Sequence, residues 1–157
     1  YARHLGSIFD KPTMETLKWI NKNIPEKDDI LTYWADGYVI QLYTGRPTIT
    51  DGLLEDDENK KRIIETGKAF YSSSELELYN LCKKYGAGYI VLPTNQTMGY
   101  SLAAGVQYSD YYIAPKQPTE KGIKTILYTL LNAPERLNNF ILRNQNEKYL
   151  TYEILKK

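Results

Sequence analysis

The feature that most constrains the fold of this chain is a run of four consecutive apolar residues, 89–92 (Tyr-Ile-Val-Leu), bounded by Gly88 and Pro93. The run is too short to be read as a helix, and a strand with one face in water would alternate apolar and polar residues. A continuous apolar run is typical of a strand that is buried on both faces in a parallel or mixed sheet. The run therefore predicts a sheet that is covered on both sides.

Apolar residues at helical spacing predict four helices, and further β-rich runs predict strands. This pattern predicts an α/β fold: a single three-layer domain with a mostly parallel or mixed sheet, flanking helices and a C-terminal β-hairpin. In chain order, we expect a helix between Pro12 and Pro25, a strand at 30–34, a helix after the acidic turn 55–58, and a helix from the serines at 72–74 to Gly86. The strand at 89–92 follows. The last elements are a helix that ends at Ala133 and a hairpin with strands at 140–143 and 149–155.

Two stretches lack a clear period. Residues 35–52 are too rich in Gly, Thr and Tyr to predict an ordinary helix, and we expect a loop there. Residues 93–118 are polar and rich in Tyr, which predicts a long loop with short pieces of structure.

Length, charge and hydropathy limit the class of protein. A chain of 157 residues, 42% of them hydrophobic, suits one domain with one sizeable core, so residues 1–157 are treated as a single domain. Lys and Arg total 20 against 19 Asp and Glu, interspersed along the chain. This balance excludes nucleic acid as a partner, which requires a clustered basic face. The apolar runs are too short for a bilayer, which takes about 20 residues, and the start at Tyr1 predicts a soluble segment of a longer protein.

Common catalytic devices lack the residues that they need. His4 is the single histidine and lies near the chain start, which argues against a Ser-His-Asp triad and a His-rich metal site. Cys82 is the single cysteine, and its position in a predicted helix indicates a small buried apolar residue. Gly86 and Gly88 precede a strand, whereas a phosphate-binding loop follows a strand and opens a helix. They therefore indicate the end of a helix.

Two smaller motifs have ordinary explanations. The acidic residues at 56–58 can bind a divalent cation, but the positive end of the helix that follows accounts for them equally well. Asn95, Gln96 and Thr97 match the acceptor pattern for N-glycosylation, which has meaning only outside the cytoplasm. Such triplets are common, so this one adds weak support for an extracytoplasmic domain.

The stretch after the first predicted strand has the composition of a polar recognition site. Trp34 and Tyr38 can stack on a sugar or cover a peptide, while Asp36 or Asp51 accepts hydrogen bonds from hydroxyl groups. Arg46 can pair with a phosphate or a carboxylate. The alternative is that Arg46 and Asp51 pair with each other to hold the loop and that the aromatic rings pack internally.

Residues 33–38, Tyr-Trp-Ala-Asp-Gly-Tyr, resemble the region around the WWDYG signature of the catalytic subunits of oligosaccharyltransferases. Tyr33 and Trp34 align with the two tryptophans of the signature, and Gly37 aligns with its glycine. Asp36 stands one position after the aspartate of the signature. On an extended segment, a shift of one residue reverses the face that a side chain presents.

The resemblance extends beyond this segment to about two thirds of the chain. A Pro-Glu-Lys-Asp-Asp turn at 25–29 leads into the signature region, and an Arg-Pro-Thr segment at 46–48 follows it. The helix and strand at 81–92 and the terminal hairpin at 140–155 resemble those in the soluble domains of multi-spanning glycosyltransferases.

The resemblance implies a fold, a location and partners. In that family, the signature opens a soluble C-terminal domain beyond the last transmembrane helix and binds the Ser or Thr hydroxyl of the acceptor sequon. The catalytic carboxylates and the lipid-carrier site lie among the membrane helices and their loops. The resemblance therefore implies that this domain is inactive alone and holds no cofactor, with any divalent metal in the membrane part. The implied partners are its own transmembrane domain, a lipid-linked sugar donor and a peptide or glycan acceptor.

The leading hypothesis is the extracytoplasmic domain of a polytopic membrane glycosyltransferase, at the cell membrane and of archaeal source. A related membrane glycosyltransferase with another acceptor remains open. Two rival hypotheses are a non-enzymatic ligand- or protein-binding domain of a transporter or sensor, and a cytosolic Rossmann-like enzyme, against which the missing phosphate loop argues. The residues expected to bind or position the acceptor are Trp34, Asp36, Tyr38, Gln41 and Arg46.

Overall fold

A computed structural model describes residues 9–156 of the chain. His4, considered above for catalysis, lies outside the described residues. The described helices are α1 (Lys11–Asn23), α2 (Gly37–Thr44), α3 (Asp57–Tyr71), α4 (Glu75–Tyr85), α5 (Thr97–Ala104), α6 (Tyr108–Tyr111), α7 (Glu120–Ile123) and α8 (Ile126–Asn132), with 3-10 turns at Trp34–Asp36 and Pro134–Arg136. The strands are β1 (Asp29–Thr32), β2 (Ala87–Pro93), β3 (Tyr112–Ala114), β4 (Gln117–Pro118), β5 (Phe140–Gln145) and β6 (Tyr149–Ile154).

The main sheet is mixed and has the strand order β1-β2-β6-β5. β1 pairs with β2 in parallel, while β2 with β6 and β6 with β5 are antiparallel. The strands β3 and β4 form a separate two-stranded sheet. The prediction of a mixed sheet with a C-terminal hairpin is confirmed, and β2 lies inside the sheet as its apolar run indicates.

Each face of the main sheet carries its own core, which gives three layers. Ile90 and Leu92 of β2 belong to a larger core that includes side chains from α3, α4, α5 and α8. Val91, between them, points to the other face and belongs to a smaller core with Leu17 and Ile20 of α1. The alternation along β2 follows from the two-residue repeat of a strand. The apolar run is therefore buried from both sides.

The prediction of a loop at residues 35–52 is wrong for the first half of that range. Trp34–Asp36 form a 3-10 turn, and α2 follows without a break. The helix forms because Ile40, buried in the smaller core, anchors its inner face, and it ends at Gly45, which takes a φ of 70°. Glycine adopts this left-handed conformation without the steric cost that other residues pay. The loop predicted at 93–118 contains α5, α6 and the β3–β4 hairpin.

A glycine at the crossing of α3 and α5 yields a stability prediction. A Cβ placed on Gly67 would lie 2.6 Å from the backbone nitrogen of Ala104, so the two helices cannot keep their spacing with a larger residue. We expect Gly67→Ala to lower the free energy of unfolding by about 2 kcal/mol, measured by urea denaturation. The control is Lys68→Ala, one position along and exposed. If the two variants were equally stable, α3 and α5 would not approach each other this closely at Gly67.

Candidate functional site

The candidate site lies at one edge of the main sheet. Because β1 and β2 are parallel, both strands deliver their following residues to the same edge, a usual location for binding sites in α/β folds. Tyr33 and Trp34 follow β1, and Thr94 follows β2. The ring of Tyr33 lies against Gly99 of α5, where a Cβ would come within 2.5 Å of the Tyr33 hydroxyl. The segment after β1 is thus packed directly against the helix after β2.

Trp34 is held in place by neighbouring aromatic rings. Its ring centroid lies 4.0 Å from that of Tyr33, with the planes tilted by 42°. Tyr33 makes an edge contact with the fully buried Tyr100, at 5.3 Å between centroids. Trp34 itself is only half-buried, so part of its ring remains available to another molecule. Aromatic pairs of this kind fix ring orientation.

Asp36 turns towards α1 and the start of β6. It lines a cavity of about 10 Å³ together with Thr13, Thr16 and Tyr149, a space for about one water molecule. Burial raises the pKa of the Asp36 carboxyl above its ordinary value, because the charged form loses water, while the Tyr149 hydroxyl and Lys148 act in the opposite direction. Tyr149 could not be predicted as a neighbour, since it lies far along the chain.

Tyr38 and Gln41 lie on α2. Tyr38 is 48% exposed, and its ring passes close to Gly52. Gln41 is half-buried, and its side-chain amide donates a hydrogen bond to the Thr48 hydroxyl oxygen at 2.5 Å. Leu42, the next residue, is 77% exposed. An aromatic ring, an amide and an apolar side chain are therefore presented by one short helix.

Arg46 is buried and binds the carboxyl end of α1. Its guanidinium group donates to the Ile24 carbonyl from Nε at 3.1 Å and from Nη2 at 2.7 Å, and to the Asn21 carbonyl and side-chain oxygens at 3.1 and 2.9 Å. It also donates to the Thr44 carbonyl. Carbonyl groups at a helix end carry partial negative charge, which favours a cation there. The Arg46 side chain is thus engaged in holding the segment after α2 against α1.

The internal pair of Arg46 with Asp51 considered from the sequence is wrong. Both residues are described, and no salt bridge joins them. The Asp51 carboxylate instead accepts hydrogen bonds from the Leu53 backbone at 2.9 Å and from the Asn59 amide at 3.2 Å. The five predicted site residues therefore share one segment, but each has its own set of partners.

Residues 9–156 contain neither a candidate metal cluster nor a candidate membrane-spanning helix. In that range, no group of three or more His, Cys, Asp or Glu side chains is placed to hold a metal ion. The acidic residue Asp56 instead caps α3, accepting hydrogen bonds from the backbone of Glu58 and Asn59. Among the same residues, no helix has the length and apolar character needed to cross a bilayer.

Comparison with known proteins identifies relatives. No protein-family model matches the chain. Over 87 residues, 55% of the chain, it is 31% identical to the stt3 subunit of the dolichyl-diphosphooligosaccharide–protein glycosyltransferase of Schizosaccharomyces pombe. Over 94 residues it is 29% identical to the corresponding subunit of Dictyostelium discoideum. The chain spans only 11 to 12% of the length of these relatives.

Solved structures share the fold. The crystal structure of the C-terminal globular domain of an oligosaccharyltransferase from Archaeoglobus fulgidus matches with a TM-score of 0.76 and 18% identity, over 94% of this chain and 99% of that one. The chain is similar in sequence to oligosaccharyltransferase subunits. It has the fold of their C-terminal globular domain, which confirms the predicted resemblance to this family.

Longer oligosaccharyltransferase structures also contain this fold. One is the archaeal oligosaccharyltransferase AglB from A. fulgidus in complex with an inhibitory peptide and a dolichol-phosphate. It matches with a TM-score of 0.63 and 15% identity, over 78% of this chain and 21% of that protein. In that structure the fold shared with this chain is therefore one part of a longer oligosaccharyltransferase.

Proposed function

We propose that this chain is the extracytoplasmic domain of a polytopic membrane glycosyltransferase of the oligosaccharyltransferase type. In this proposal, the domain binds or positions the acceptor, and catalysis requires the membrane part. The observation that carries the proposal is the match to an oligosaccharyltransferase C-terminal globular domain over 94% of the chain. The sequence similarity to two stt3 subunits favours this function over a domain of a transporter or sensor.

The proposed partner of the domain is its own transmembrane part. Exposed apolar side chains are frequent on the helices that follow the two parallel strands, with Tyr38 and Leu42 on α2 and Met98 and Leu102 on α5. Leu42 is 77% exposed and Leu102 is 73% exposed. In each pair the two residues lie four positions apart, on one face of their helix, and exposed apolar faces mark interaction surfaces. They support docking of this edge of the sheet on another protein surface.

The proposed ligands are a peptide acceptor and a lipid-linked sugar donor. The support is that the A. fulgidus relative was solved with a peptide and a dolichol-phosphate. We assign contact with the acceptor to Trp34, Asp36, Tyr38 and Gln41, which are exposed or half-buried. Arg46 was predicted as a further contact, and its bonds to α1 favour a supporting role for it in the same site.

Three parts of the hypothesis stay predictions. The curated relatives are eukaryotic and the solved structures are archaeal, so neither group decides the archaeal source. The extracytoplasmic side follows from the family and is part of the proposal. A divalent metal in the membrane part, with no cofactor in this domain, is likewise proposed from the resemblance alone.

The proposal is tested on the full-length protein in its membrane. We expect Trp34→Ala to raise the KM for an acceptor peptide by about tenfold, because a partly exposed aromatic anchor contributes about 1.4 kcal/mol or more to binding. The measurement is transfer of labelled oligosaccharide from the lipid carrier to a peptide that contains Asn-X-Thr.

The chain offers a matched control in its second tryptophan. Trp19 lies on α1 and is also half-buried, and Trp19→Ala is expected to leave the KM unchanged. Circular dichroism of the two variant domains checks that both are folded. A KM for Trp34→Ala equal to that of Trp19→Ala would remove Trp34 from the acceptor site, and no transfer by the unmodified protein would contradict the proposed function.

A further inference from the structure

A polar groove lies beside the end of β2. It consists of two adjoining cavities of about 380 and 460 Å³, which share Thr94, Asn95, Lys116 and Glu147 as lining residues. The walls are the turn after β2, the β3–β4 turn, α8 and the turn between β5 and β6. The Thr94 backbone nitrogen and hydroxyl donate to the carbonyls of Lys148 and Glu147, both at 2.9 Å. These bonds connect the turn after β2 to the turn between β5 and β6 and so stabilise the shape of the groove.

Lys116 has an unusual backbone conformation at the rim of this groove. Its φ of 65° makes it the one residue other than glycine with a positive φ among residues 9–156. Glycine takes this conformation at no steric cost, whereas a residue with a Cβ is strained there. Strain of this kind is concentrated at functional sites, where the side chain has a use. The position would be more stable as glycine, so the lysine side chain calls for an explanation.

A buried tyrosine whose hydroxyl group has no partner in the described part of the chain borders the same groove. Tyr112 is 4% exposed, and within the described residues its hydroxyl has no hydrogen-bond partner. Its ring stacks on that of Tyr108, with centroids 5.1 Å apart and planes at 14°. Buried polar groups are rarely left unsatisfied. Tyr128, half-buried on α8, lines the same cavity and is the more accessible of these two tyrosines.

The charges around the groove balance. Lys116 and Lys148 are the cations and Asp10 and Glu147 the anions among its lining residues. Lys148 already forms a 2.8 Å ion pair with Asp10. The remaining pair, Lys116 and Glu147, provides one donor and one acceptor and no net charge. A neutral lining with amide, hydroxyl, ammonium and carboxylate groups beside tyrosine rings suits a ligand with many hydroxyl groups and an apolar ring face.

From these observations we infer that the groove binds a neutral sugar ring. Lys116 and Glu147 bind hydroxyl groups at the rim, Asn95 binds from the turn after β2, and Tyr128 contacts the ring. The inference goes beyond the proposed function, since it adds a second site to that of the acceptor. It does not depend on the proposed function, because sugar binding can be measured on the chain itself.

The test is a titration of the ¹⁵N-labelled 157-residue chain, followed by NMR. The probes are methyl α-mannoside, methyl β-galactoside and N-acetylglucosamine at millimolar concentrations, with methyl glucuronide as an acidic probe. We expect saturable shifts at the amides of Asn95, Lys116 and Tyr128 with at least one neutral sugar. Shifts with methyl glucuronide alone, or no saturable shift with any of the three neutral sugars, would overturn the inference.

Lys116→Gly is expected to change sugar binding and thermal stability in opposite directions. We expect this variant to have a higher Tm, since strain is removed, and to bind the sugar about fivefold more weakly, since a charged donor is lost. The matched control is Lys124→Gly, an exposed lysine whose φ is −80°, which should lower the Tm slightly and leave binding unchanged. Equal binding by the two variants would overturn the role of Lys116.

Two further probes distinguish the source of the sugar. N-acetylglucosamine 1-phosphate represents the donor end of a lipid-linked sugar, and N-acetylglucosaminyl-asparagine represents a sugar attached to protein. Tighter binding of one of them supports the site and assigns its source. Asn95→Ala, at an exposed position, should weaken binding of either without a change in Tm, and unchanged binding would overturn the assigned role of Asn95.

Discussion

Arg46→Ala is expected to lower the free energy of unfolding of the chain by about 3 kcal/mol, measured by urea denaturation. The variant leaves the carbonyl groups of Asn21, Ile24 and Thr44 without their donors in a buried region. It also removes the link between α1 and the segment after α2. Unsatisfied buried carbonyls each cost on the order of 1 to 3 kcal/mol, partly relieved if water enters the space.

Two other arginine variants test this explanation. Arg46→Lys retains the charge but cannot reproduce the fork of donors, so it should recover only part of the loss. Arg136→Ala changes an exposed arginine and should alter the free energy of unfolding by less than about 0.5 kcal/mol. A loss for Arg46→Ala as small as that for Arg136→Ala would mean that the buried bonds add little to stability.

Gly37→Ala is the second substitution with a large expected effect. A Cβ at this position would overlap the Thr50 carbonyl oxygen and lie 2.7 Å from the Asp51 Cα. Both obstacles are backbone atoms, which cannot move aside like the end of a side chain. We expect a loss of about 3 kcal/mol in the free energy of unfolding, the upper part of the usual range for overpacking. Thermal denaturation followed by circular dichroism measures it.

Gly52→Ala is the matched control for Gly37→Ala. A Cβ on Gly52 would lie 3.5 Å from the Tyr38 ring, an ordinary contact distance. Gly52→Ala should change the free energy of unfolding by less than about 0.5 kcal/mol. If Gly37→Ala were as stable as Gly52→Ala, the close approach of α2 to the segment at Thr50 would not exist in solution. Because Gly37 lies between Asp36 and Tyr38, its substitution should also displace the proposed acceptor site.

The sheet was predictable from sequence because its determinants are local. The apolar run at β2 and the two β-rich runs around a polar turn at β5 and β6 contain the pattern that burial requires. The helix α2 was not predicted, because it lies in the stretch 35–52, whose Gly, Thr and Tyr residues have a low intrinsic helix propensity. Burial of Ile40 against α1 overrides that propensity. Gly45 was a sequence signal that could have indicated its end.

The sequence could predict which segment forms the candidate site, but not how the side chains of that segment are arranged and what they contact. Composition identified the stretch around Trp34, whereas the partners of Asp36 and Arg46 come from α1 and β6, which no local pattern indicates. The expectation that a shift of one residue reverses a side chain assumed an extended segment. In the 3-10 turn at Trp34–Asp36, a shift of one residue rotates a side chain by about a third of a turn.

The position of β6 inside the main sheet affects the order in which the chain can fold. β6 pairs with β2 on one side and β5 on the other, and it contributes Tyr149 to the smaller core and Leu150, Tyr152 and Ile154 to the larger one. Neither core is complete before this strand has been synthesised. During translation, β2 can pair with β1 on one side, but its other side has no partner strand until β6 has left the ribosome. Apolar residues of both cores therefore stay accessible to proteases and chaperones during synthesis until β6 has emerged.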